Sequence, residues 1–469
     1  MKENQKYITK NQERFIAELM DFLSIPSVSS NEDYILGING AAKFVQRQLI
    51  ACGANIATIE KTEGHPVVYG EKMVDPSLPT VLVYGHYDVQ PADPIELWDH
   101  PPFEPIIKDE KIYARGACDD KGQMFMHLKS LEYLTRTNQM CCNLKFIFEG
   151  EEEIGSPSLE KYLINNKEKL KADVVLVSDT AMIDNNTPSL IYGLKGITYF
   201  EVEVTGPEKD LHSGIHGGVI PNPLNILCTM IGKLQDENGT ITIPGFYRGI
   251  VTPSDEEITA LHRIPFDVEK YKKEVGVKAL TGEKGYDPME RIAFRPTLDV
   301  NGIWGGYTGQ GAKTVIPSKA FAKLSMRLVN GQSAKAVIRS FSNYFRTLAP
   351  DSVDVSVRVL ASCESALVPI DSLPFRAAEM ALEQSFGVKP VAVRIGGSIP
   401  VISLFEKVLG LHSILMGFGL DSDDIHSPNE HYGIFNFLKE IETIPLFYEN
   451  YAKAFSSANP KCFLASSAM

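Results

Sequence analysis

Cysteine is scarce in this chain, and its pattern is irregular. Only seven of the 469 residues are cysteine, the number is odd, and no two of them are spaced as C-x-x-C. So few cysteines exclude a disulfide scaffold, and a chain of this length can build a core without one. The cysteine usage therefore predicts a reducing, cytoplasmic setting.

Long apolar runs and an excess of basic residues are also missing. No stretch of about 18 consecutive apolar residues occurs, so we expect no membrane span. The first 15 residues have no apolar run behind a basic start, and this argues against a signal peptide. Lys and Arg total 46 against 59 Asp and Glu, which gives a net charge of −13. That balance argues against nucleic acid and anionic membrane as main partners.

What remains is the composition of an ordinary globular protein. Apolar residues make up 44% and charged residues 22% of the chain, so disorder is excluded as its dominant state. The length predicts two or three domains. Up to about residue 196, helical and strand-like segments alternate, including a helix predicted over 121–136. The runs 80–84 and 174–177 are apolar without alternation, as in strands buried on both faces, and this predicts a three-layer α/β domain.

The pattern changes near Gly196. Residues 197–205 (ITYFEVEVT) alternate, as in a strand with one wet face, and a further strand-like stretch covers 314–329. A helix is predicted over 334–348, and the alternation returns at 353–360. These segments predict a two-layer α+β domain over 197–372, inserted between the two parts of the α/β domain at 1–196 and 373–469.

Five segments place His, Asp or Glu near predicted strand ends, where ligands gather in open α/β sheets. They are GHYDV with His86 and Asp88, CDDKG with Asp119 and Asp120, EGEEE with Glu149, Glu151, Glu152 and Glu153, SDT with Asp179, and DDIHSPNE with His426. Taken alone, four of these segments are better explained as a solvated loop, a helix cap or an exposed histidine, and EGEEE is equally well explained as a solvated acidic turn. Together they form a nitrogen and oxygen ligand set without thiolate, which suits two divalent ions such as Zn²⁺ or Mn²⁺.

These motifs together resemble the aminoacylase/carboxypeptidase-type di-metal peptidase family, and within it the carnosinase-like cytosolic dipeptidases. The similarity runs from about Phe15 to the last helix. The resemblance implies the metal ligands His86, Asp119, Glu153, Asp179 and His426. It further implies that Asp119 bridges both ions and precedes a cis peptide bond, that Asp88 orients His86, and that Glu152 is the general base.

The resemblance also implies a role for the inserted domain, as a lid and as the interface of a homodimer. His212 in DLHSG would reach the active site of the partner subunit and stabilise the oxyanion. Thr314 and Arg327 would hold the carboxylate of a small peptide substrate, for which the arginine fork is well suited. Ser398 in GGSIP would line the substrate pocket. The plainer alternatives are a surface histidine, a strand threonine and an arginine whose head group reaches solvent.

Two positions depart from the pattern of the family. Ile395 stands before GGSIP where many carnosinase-like members have Glu, so this position offers no carboxylate to hold the substrate amine. His216 stands where relatives often have an apolar residue, and we interpret it as a local substitution.

The sequence thus predicts metal-dependent hydrolysis of dipeptides or very short peptides, with Glu152 moving the proton of a water activated by two ions. A deacylase of the same family, acting on N-acyl amino acids or N-succinyl compounds, remains the alternative. A non-catalytic metal-binding protein is a remote one.

Overall fold

The computed structural model describes residues 3–459, and of Glu274 only the backbone. The helices are α1 (Glu3–Leu23), α2 (Ile35–Ala51), α3 (Lys121–Arg136), α4 (Leu159–Asn165), α5 (Ser213–His216), α6 (Pro223–Gly232), α7 (Asp255–Leu261), α8 (Val268–Glu274), α9 (Pro288–Phe294), α10 (Ala334–Thr347), α11 (Leu373–Phe386), α12 (Pro400–Leu404) and α13 (Ile434–Ala458). None of the helices within this described part is both long and apolar enough to span a membrane.

Most strands belong to two large sheets. The strands are β1 (Ile56–Glu60), β2 (Val67–Lys72), β3 (Thr80–His86), β4 (Ile106–Lys108), β5 (Lys111–Tyr113), β6 (Asn143–Glu149), β7 (Val174–Val177), β8 (Ala181–Met182), β9 (Ser189–Leu194), β10 (Gly196–Thr205), β11 (Leu211–His212), β12 (Thr297–Gly305), β13 (Val315–Ile316), β14 (Lys319–Leu328), β15 (Asp354–Cys363), β16 (Ala366–Leu367), β17 (Val391–Ile395), β18 (Ser413–Leu415), β19 (Gly419–Leu420) and β20 (His431–Gly433).

The chain divides into two compact units. The described part of the first unit comprises residues 3–192, 368–392 and 404–459, and the second comprises 193–367 and 393–403. The mixed α/β fold that the sequence predicts is confirmed. The roles predicted for these parts, as a catalytic domain and as a lid and dimer interface, stay predictions.

A mixed sheet forms the middle layer of the first unit. Its strands run in the order β1-β2-β6-β3-β7-β18-β9, with β3 parallel to both β6 and β7 and β18 parallel to β7. Helix α3 packs on one face, where a Cβ at Gly85 would come within 2.8 Å of Met124 Cγ. On the other face, the ring of Tyr84 lies 5.3 Å from that of Phe405 in a π-helical segment. The sheet therefore separates two helical layers.

The second unit is built on a four-stranded antiparallel sheet in the order β12-β14-β10-β15. Buried and half-buried residues alternate along β10, as the sequence pattern predicts. The buried residues of the sheet, such as Phe200 and Leu324, pack against α6 and α10, whose Leu227 and Phe341 complete a single apolar core. Helices cover one face of the sheet, and this makes two layers.

Two predicted segments differ from the observed ones in length. The strand-like run 314–329 is interrupted at Pro317, which has no N–H to donate, and forms β13 and β14 instead. The sequence pattern also predicts a helix from Pro157 to about Lys169, but α4 ends at Asn165, where two asparagines, which have low helix propensity, follow each other.

Candidate metal centre

The candidate site lies at the carboxyl ends of three adjacent strands of the first unit. Strand β3 ends at His86, which pairs in register with Glu149 at the end of β6. Asp179 lies two residues beyond the end of β7. Because β3 is parallel to both neighbours, these three ends meet at one edge of the sheet, where open α/β folds bind their ligands.

Asp119 lies between two histidines that are far apart in the sequence. Its Oδ1 is 3.1 Å from His86 Nε2, and its Oδ2 is 2.9 Å from His426 Nε2. Asp179 Oδ2 lies 3.7 Å from His86 Nε2, and Glu153 Oε2 lies 3.3 Å from His426 Nε2. The result is two sets of three potential ligands, one around each histidine, which share Asp119.

The loop that carries Asp119 leads directly into α3. The peptide bond between Asp119 and Asp120 is cis, as the resemblance implies. Asp120 points back toward β3, and its Oδ2 accepts the backbone N–H of His86 at 3.1 Å. Gly85 leaves the space for this contact, since a Cβ there would lie 2.8 Å from the same oxygen. The sequence GH at the end of β3 thus lets the Asp119 loop approach the strand closely.

Asp88 fixes both His86 and the acidic turn. His86 Nδ1 lies 3.1 Å from the main-chain oxygen of Asp88, to which it donates, and 3.4 Å from the Asp88 carboxylate. The carboxylate itself accepts the backbone N–H groups of Glu152 at 3.3 Å and Glu153 at 3.1 Å. Donation from Nδ1 leaves the Nε2 lone pair of His86 directed at the shared carboxylate.

Two of the four glutamates in EGEEE support the structure around the site. Glu149 Oε1 accepts hydrogen bonds from Tyr84 at 2.7 Å and Ser156 at 2.9 Å. Glu151 accepts the backbone N–H groups of His65 at 2.8 Å and Ser158 at 3.1 Å. Both side chains are buried, so this segment is not a solvated acidic turn.

The other two glutamates, Glu152 and Glu153, lie close to the two ligand sets. Glu153 accepts hydrogen bonds from the backbone N–H and the side-chain Nε2 of Gln90, at 3.1 and 2.8 Å. Among the described residues, none forms a hydrogen bond with the half-buried carboxylate of Glu152. The charges of ligands from both sets act on the Glu152 carboxyl, so it lies beside them, and its oxygens are available to another group.

The ionisation of the cluster shows how much negative charge it concentrates. Burial raises the pKa of the Asp179 carboxyl to about 7, with the charge of Asp119 adding to the effect. Burial also raises the pKa of Glu152 well above its usual value. Hydrogen bonds to Asp119 and Glu153 raise the pKa of His426 to about 10. All three changes bring protons into the cluster, as expected where carboxylates converge.

The four remaining predicted residues lie in the second unit. His212 is exposed at the end of β11, and its Nδ1 accepts the backbone N–H of Gly214 at 3.0 Å. Its proton is therefore on Nε2, which can donate to an oxygen. Exposed Thr314 lies nearby, since β11 pairs with β13 and the N–H of Ser213 donates to its main-chain oxygen at 3.1 Å.

Arg327 and Ser398 form a second pair. Arg327 is half-buried on β14, and its Nη1 donates to Ser398 Oγ at 2.7 Å. Within the described residues, no hydrogen bond or ion pair links this pair to His212 or Thr314. Ile395 ends β17, three residues before Ser398, and is also half-buried.

A third convergence of His and carboxylates, in the second unit, has a structural explanation. His262, Asp287 and Glu290 bring one potential ligand atom each close together. Asp287 and Glu290 form the capping box of α9, and His262 Nε2 lies 2.7 Å from Asp287 Oδ2. These side chains are exposed or half-buried, and each has a partner in the protein.

Comparison with known proteins decides the family. The model of Peptidase family M20/M25/M40 matches residues 82–450. The chain belongs to this family. It is 33% identical over 455 residues to Cys-Gly metallodipeptidase dug1 of Schizosaccharomyces pombe, covering 93% of this chain and 95% of that one. It is 30% identical over 466 residues to human Beta-Ala-His dipeptidase, covering 94% and 91%.

A solved structure agrees with these relatives. The M20-family metallo-carboxypeptidase Sso-CP2 of Sulfolobus solfataricus superposes with a TM-score of 0.86 at 33% identity, covering 94% of this chain and 99% of that one. The predictions of the family and of a metallopeptidase are thereby confirmed.

The residues of this family member fit a pair of divalent cations. His86 Nε2 is fully buried and has no hydrogen-bond partner within residues 3–459, although Asp119 Oδ1 lies 3.1 Å away. The nitrogen lone pair and the carboxylate oxygen are thus close but not bonded to each other, as expected when both point at an ion. Imidazole and carboxylate ligands without thiolate suit Zn²⁺ or Mn²⁺.

Sequence reasoning missed two residues at this site. Gln90 binds Glu153 and stands at i+4 from His86, on the face that an extended segment shares with Asp88, so its spacing was a usable signal. Glu430 lies four residues after His426, and its carboxylate binds the backbone of the Asp119 loop. Its contacts are more than 300 residues away in the sequence, so no local pattern reveals them.

Proposed function

We propose that this chain hydrolyses the peptide bond of dipeptides or very short peptides with the help of two divalent metal ions, Zn²⁺ or Mn²⁺. The ligands would be His86, Asp119, Glu153, Asp179 and His426. The observation that best supports the proposal is that two ligand sets share Asp119 and lie beside Glu152, whose carboxylate accepts no hydrogen bond from the described residues. The named substrates of the two curated relatives, Cys-Gly and Beta-Ala-His, are both dipeptides.

In the proposed mechanism, Glu152 moves the proton. A bound pair of divalent ions would supply Lewis acidity, which polarises the scissile carbonyl and makes water a better nucleophile. Glu152 accepts a proton from the attacking water and delivers it to the leaving amine nitrogen. Asp88 keeps the Glu152 backbone and the His86 ring in place during both transfers, through the hydrogen bonds described above.

The residues of the second unit would bind the substrate. We propose that His212 donates from Nε2 to the developing oxyanion in the active site of a partner subunit. Arg327 and Thr314 would hold the substrate carboxylate, with Ser398 fixing the guanidinium through the 2.7 Å hydrogen bond. Recognition of that carboxylate favours dipeptides over long chains. The second unit would then serve as the lid and as the interface of a cytoplasmic homodimer.

The direct test is hydrolysis of a small dipeptide panel by the purified protein. Treatment with a chelator should reduce turnover to background, and Mn²⁺ or Zn²⁺ should restore it, because the ligand sets need a cation. The matched substrates are one dipeptide with a free N-terminus and the same dipeptide N-acetylated. Faster turnover of the acetylated compound would contradict a dipeptidase and indicate a deacylase. Metal binding without turnover of either would indicate a non-catalytic protein.

Mixing two inactive variants tests the action of His212 across the dimer. We expect H212A and E152Q homodimers to be nearly inactive. Random exchange makes about half of the dimers mixed, each with one intact site, so about a quarter of the wild-type activity should return. Mass spectrometry under native conditions confirms that mixed dimers are present. Absence of recovery in a sample that contains them would show that His212 does not act across the interface.

A further inference from the structure

Glu430 is a buried carboxylate that accepts four hydrogen bonds from one short segment. It lies directly before β20 and is 1% exposed. Its Oε1 accepts the backbone N–H groups of Cys118 at 3.0 Å and Asp119 at 3.1 Å. Its Oε2 accepts the backbone N–H of Gly116 at 2.9 Å and Nη1 of Arg115 at 2.7 Å. Both oxygens are thus fully used by the loop that carries Asp119.

Arg115 compensates the buried charge of Glu430. The arginine is also 1% exposed, and its second nitrogen donates to the main-chain oxygen of Pro91 at 3.2 Å. Its guanidinium lies 5.3 Å from the centre of the Trp98 ring. A buried ion pair is stable when its geometry is good and most of its polar atoms are bonded. Here both Glu430 oxygens and both terminal nitrogens of Arg115 are bonded, and Arg115 Nε is the one atom of the pair that has no hydrogen-bond partner among the described residues.

The main chain joins the same two segments. The N–H of Ala114 donates to the main-chain oxygen of Glu430 at 3.1 Å, and Tyr113 on β5 pairs with His431 on β20. Four residues before Glu430, His426 Nε2 lies 2.9 Å from Asp119 Oδ2. The segments 113–119 and 426–431 therefore run side by side. Tyr113 pairs with His431 at one end, Asp119 lies against His426 at the other, and the Glu430 carboxylate binds the backbone between them.

The turn between His426 and Glu430 is also fixed. His426 and Asn429 both have left-handed backbone conformations, with φ of 62° and 66°, which most residues with a side chain avoid. Asn429 holds its place by accepting the backbone N–H of Asp99 at 2.8 Å and donating to the Leu97 oxygen at 3.2 Å. The His426 side chain is 53% exposed, so its position depends on this turn more than on packing.

We infer that Glu430 is a positioning residue of the metal centre, which sets the distance between Asp119 and His426 before any cation binds. The inference rests on the proposed function, since it takes Asp119 and His426 as metal ligands. Only a carboxylate can accept two hydrogen bonds at each of two oxygens here. A glutamine would turn an amino group toward two donors, so the hydrogen bonds at one of the two side-chain positions would be lost.

The test is the metal affinity of Glu430→Gln, measured by competition with a chelating indicator. We expect Mn²⁺ or Zn²⁺ to bind about 10- to 100-fold more weakly, the usual effect of losing a group that orients a ligand. Thermal unfolding of the metal-free protein reports separately on stability. At saturating metal, kcat should recover towards the wild-type value, which a general loss of folding would not allow.

Glu132→Gln is the matched control. Glu132 is also buried and also pairs with an arginine, Arg14, and it accepts a hydrogen bond from Tyr7 at 2.9 Å. Neither partner belongs to the metal centre. We expect the control to lose thermal stability, as we expect of Glu430→Gln. Its metal affinity should stay within about twofold of wild type, because a substitution distant from the metal ligands acts independently of them.

Two results would overturn the inference. One is a folded Glu430→Gln protein with wild-type metal affinity. The other needs no variant. In metal-free wild-type protein, the amides of Gly116, Cys118 and Asp119 should be protected from hydrogen exchange. Free exchange would show that Glu430 does not hold this loop before a cation binds. If the wild-type protein bound no metal and hydrolysed no dipeptide, the proposed function would fail instead, whatever the exchange result.

Discussion

Glu152→Gln is expected to lower kcat for dipeptide hydrolysis by about 1,000-fold, in the range that a general base contributes. Glutamine has the shape of glutamate but cannot take a proton from water. Glu152 belongs to neither ligand set, so metal content should stay at the wild-type level. KM should change little, because the lost interaction is made in the transition state. Steady-state kinetics and metal analysis of one preparation check all three expectations.

The matched control is the same change at the preceding residue. Glu151 accepts the backbone N–H groups of His65 and Ser158, and a glutamine can still accept one of them. Glu151→Gln should therefore melt a few degrees lower but keep kcat within about tenfold, a barrier change below about 1.4 kcal/mol. A Glu152→Gln enzyme that turned over as fast as this control would rule out Glu152 as the base.

The contrast between these neighbours also shows what sequence could and could not predict. The position of EGEEE after an apolar strand identified the segment, because β6 ends in register with His86. The direction of each side chain came from tertiary contacts. The Glu151 carboxylate accepts the backbone N–H groups of His65 and Ser158, whereas the Glu152 carboxylate accepts no hydrogen bond in the part of the chain that the structure describes. No local rule separates two adjacent glutamates in a turn.

The same limit applies to the fold. Patterns confined to one element predicted well, as with the helix over 121–136 and the alternating strand that begins near residue 197. Both depend on the periodicity of neighbouring residues. The hydrogen bonds of the Glu430 carboxylate depend on which loops the folded sheet brings together, and Glu430 is more than 300 residues from its partners in the sequence. Short-range patterns carry no information about such a contact.

Asp119→Asn is the second change from which we expect a large effect. Its two oxygens lie against different histidines, Oδ1 near His86 and Oδ2 near His426, so this one carboxylate serves both ligand sets. Asparagine offers one oxygen and one amino group, and it carries no charge. We expect bound metal to fall from about two ions per subunit to one or fewer, with activity falling at least about 1,000-fold. Metal analysis after dialysis and dipeptide kinetics measure both.

Asp120→Asn makes the result for Asp119 specific, because it makes the same change from carboxyl to amide one residue further on. Asp120 is in neither ligand set, and its Oδ2 accepts the backbone N–H of His86, a bond that the asparagine oxygen can also accept. The Asp120 variant should keep its metal and lose no more than about tenfold in activity. If both variants lost their metal equally, the charge of the buried loop would matter and bridging by Asp119 would not. If only Asp119→Asn loses it, the shared carboxylate is what joins the two halves of the centre.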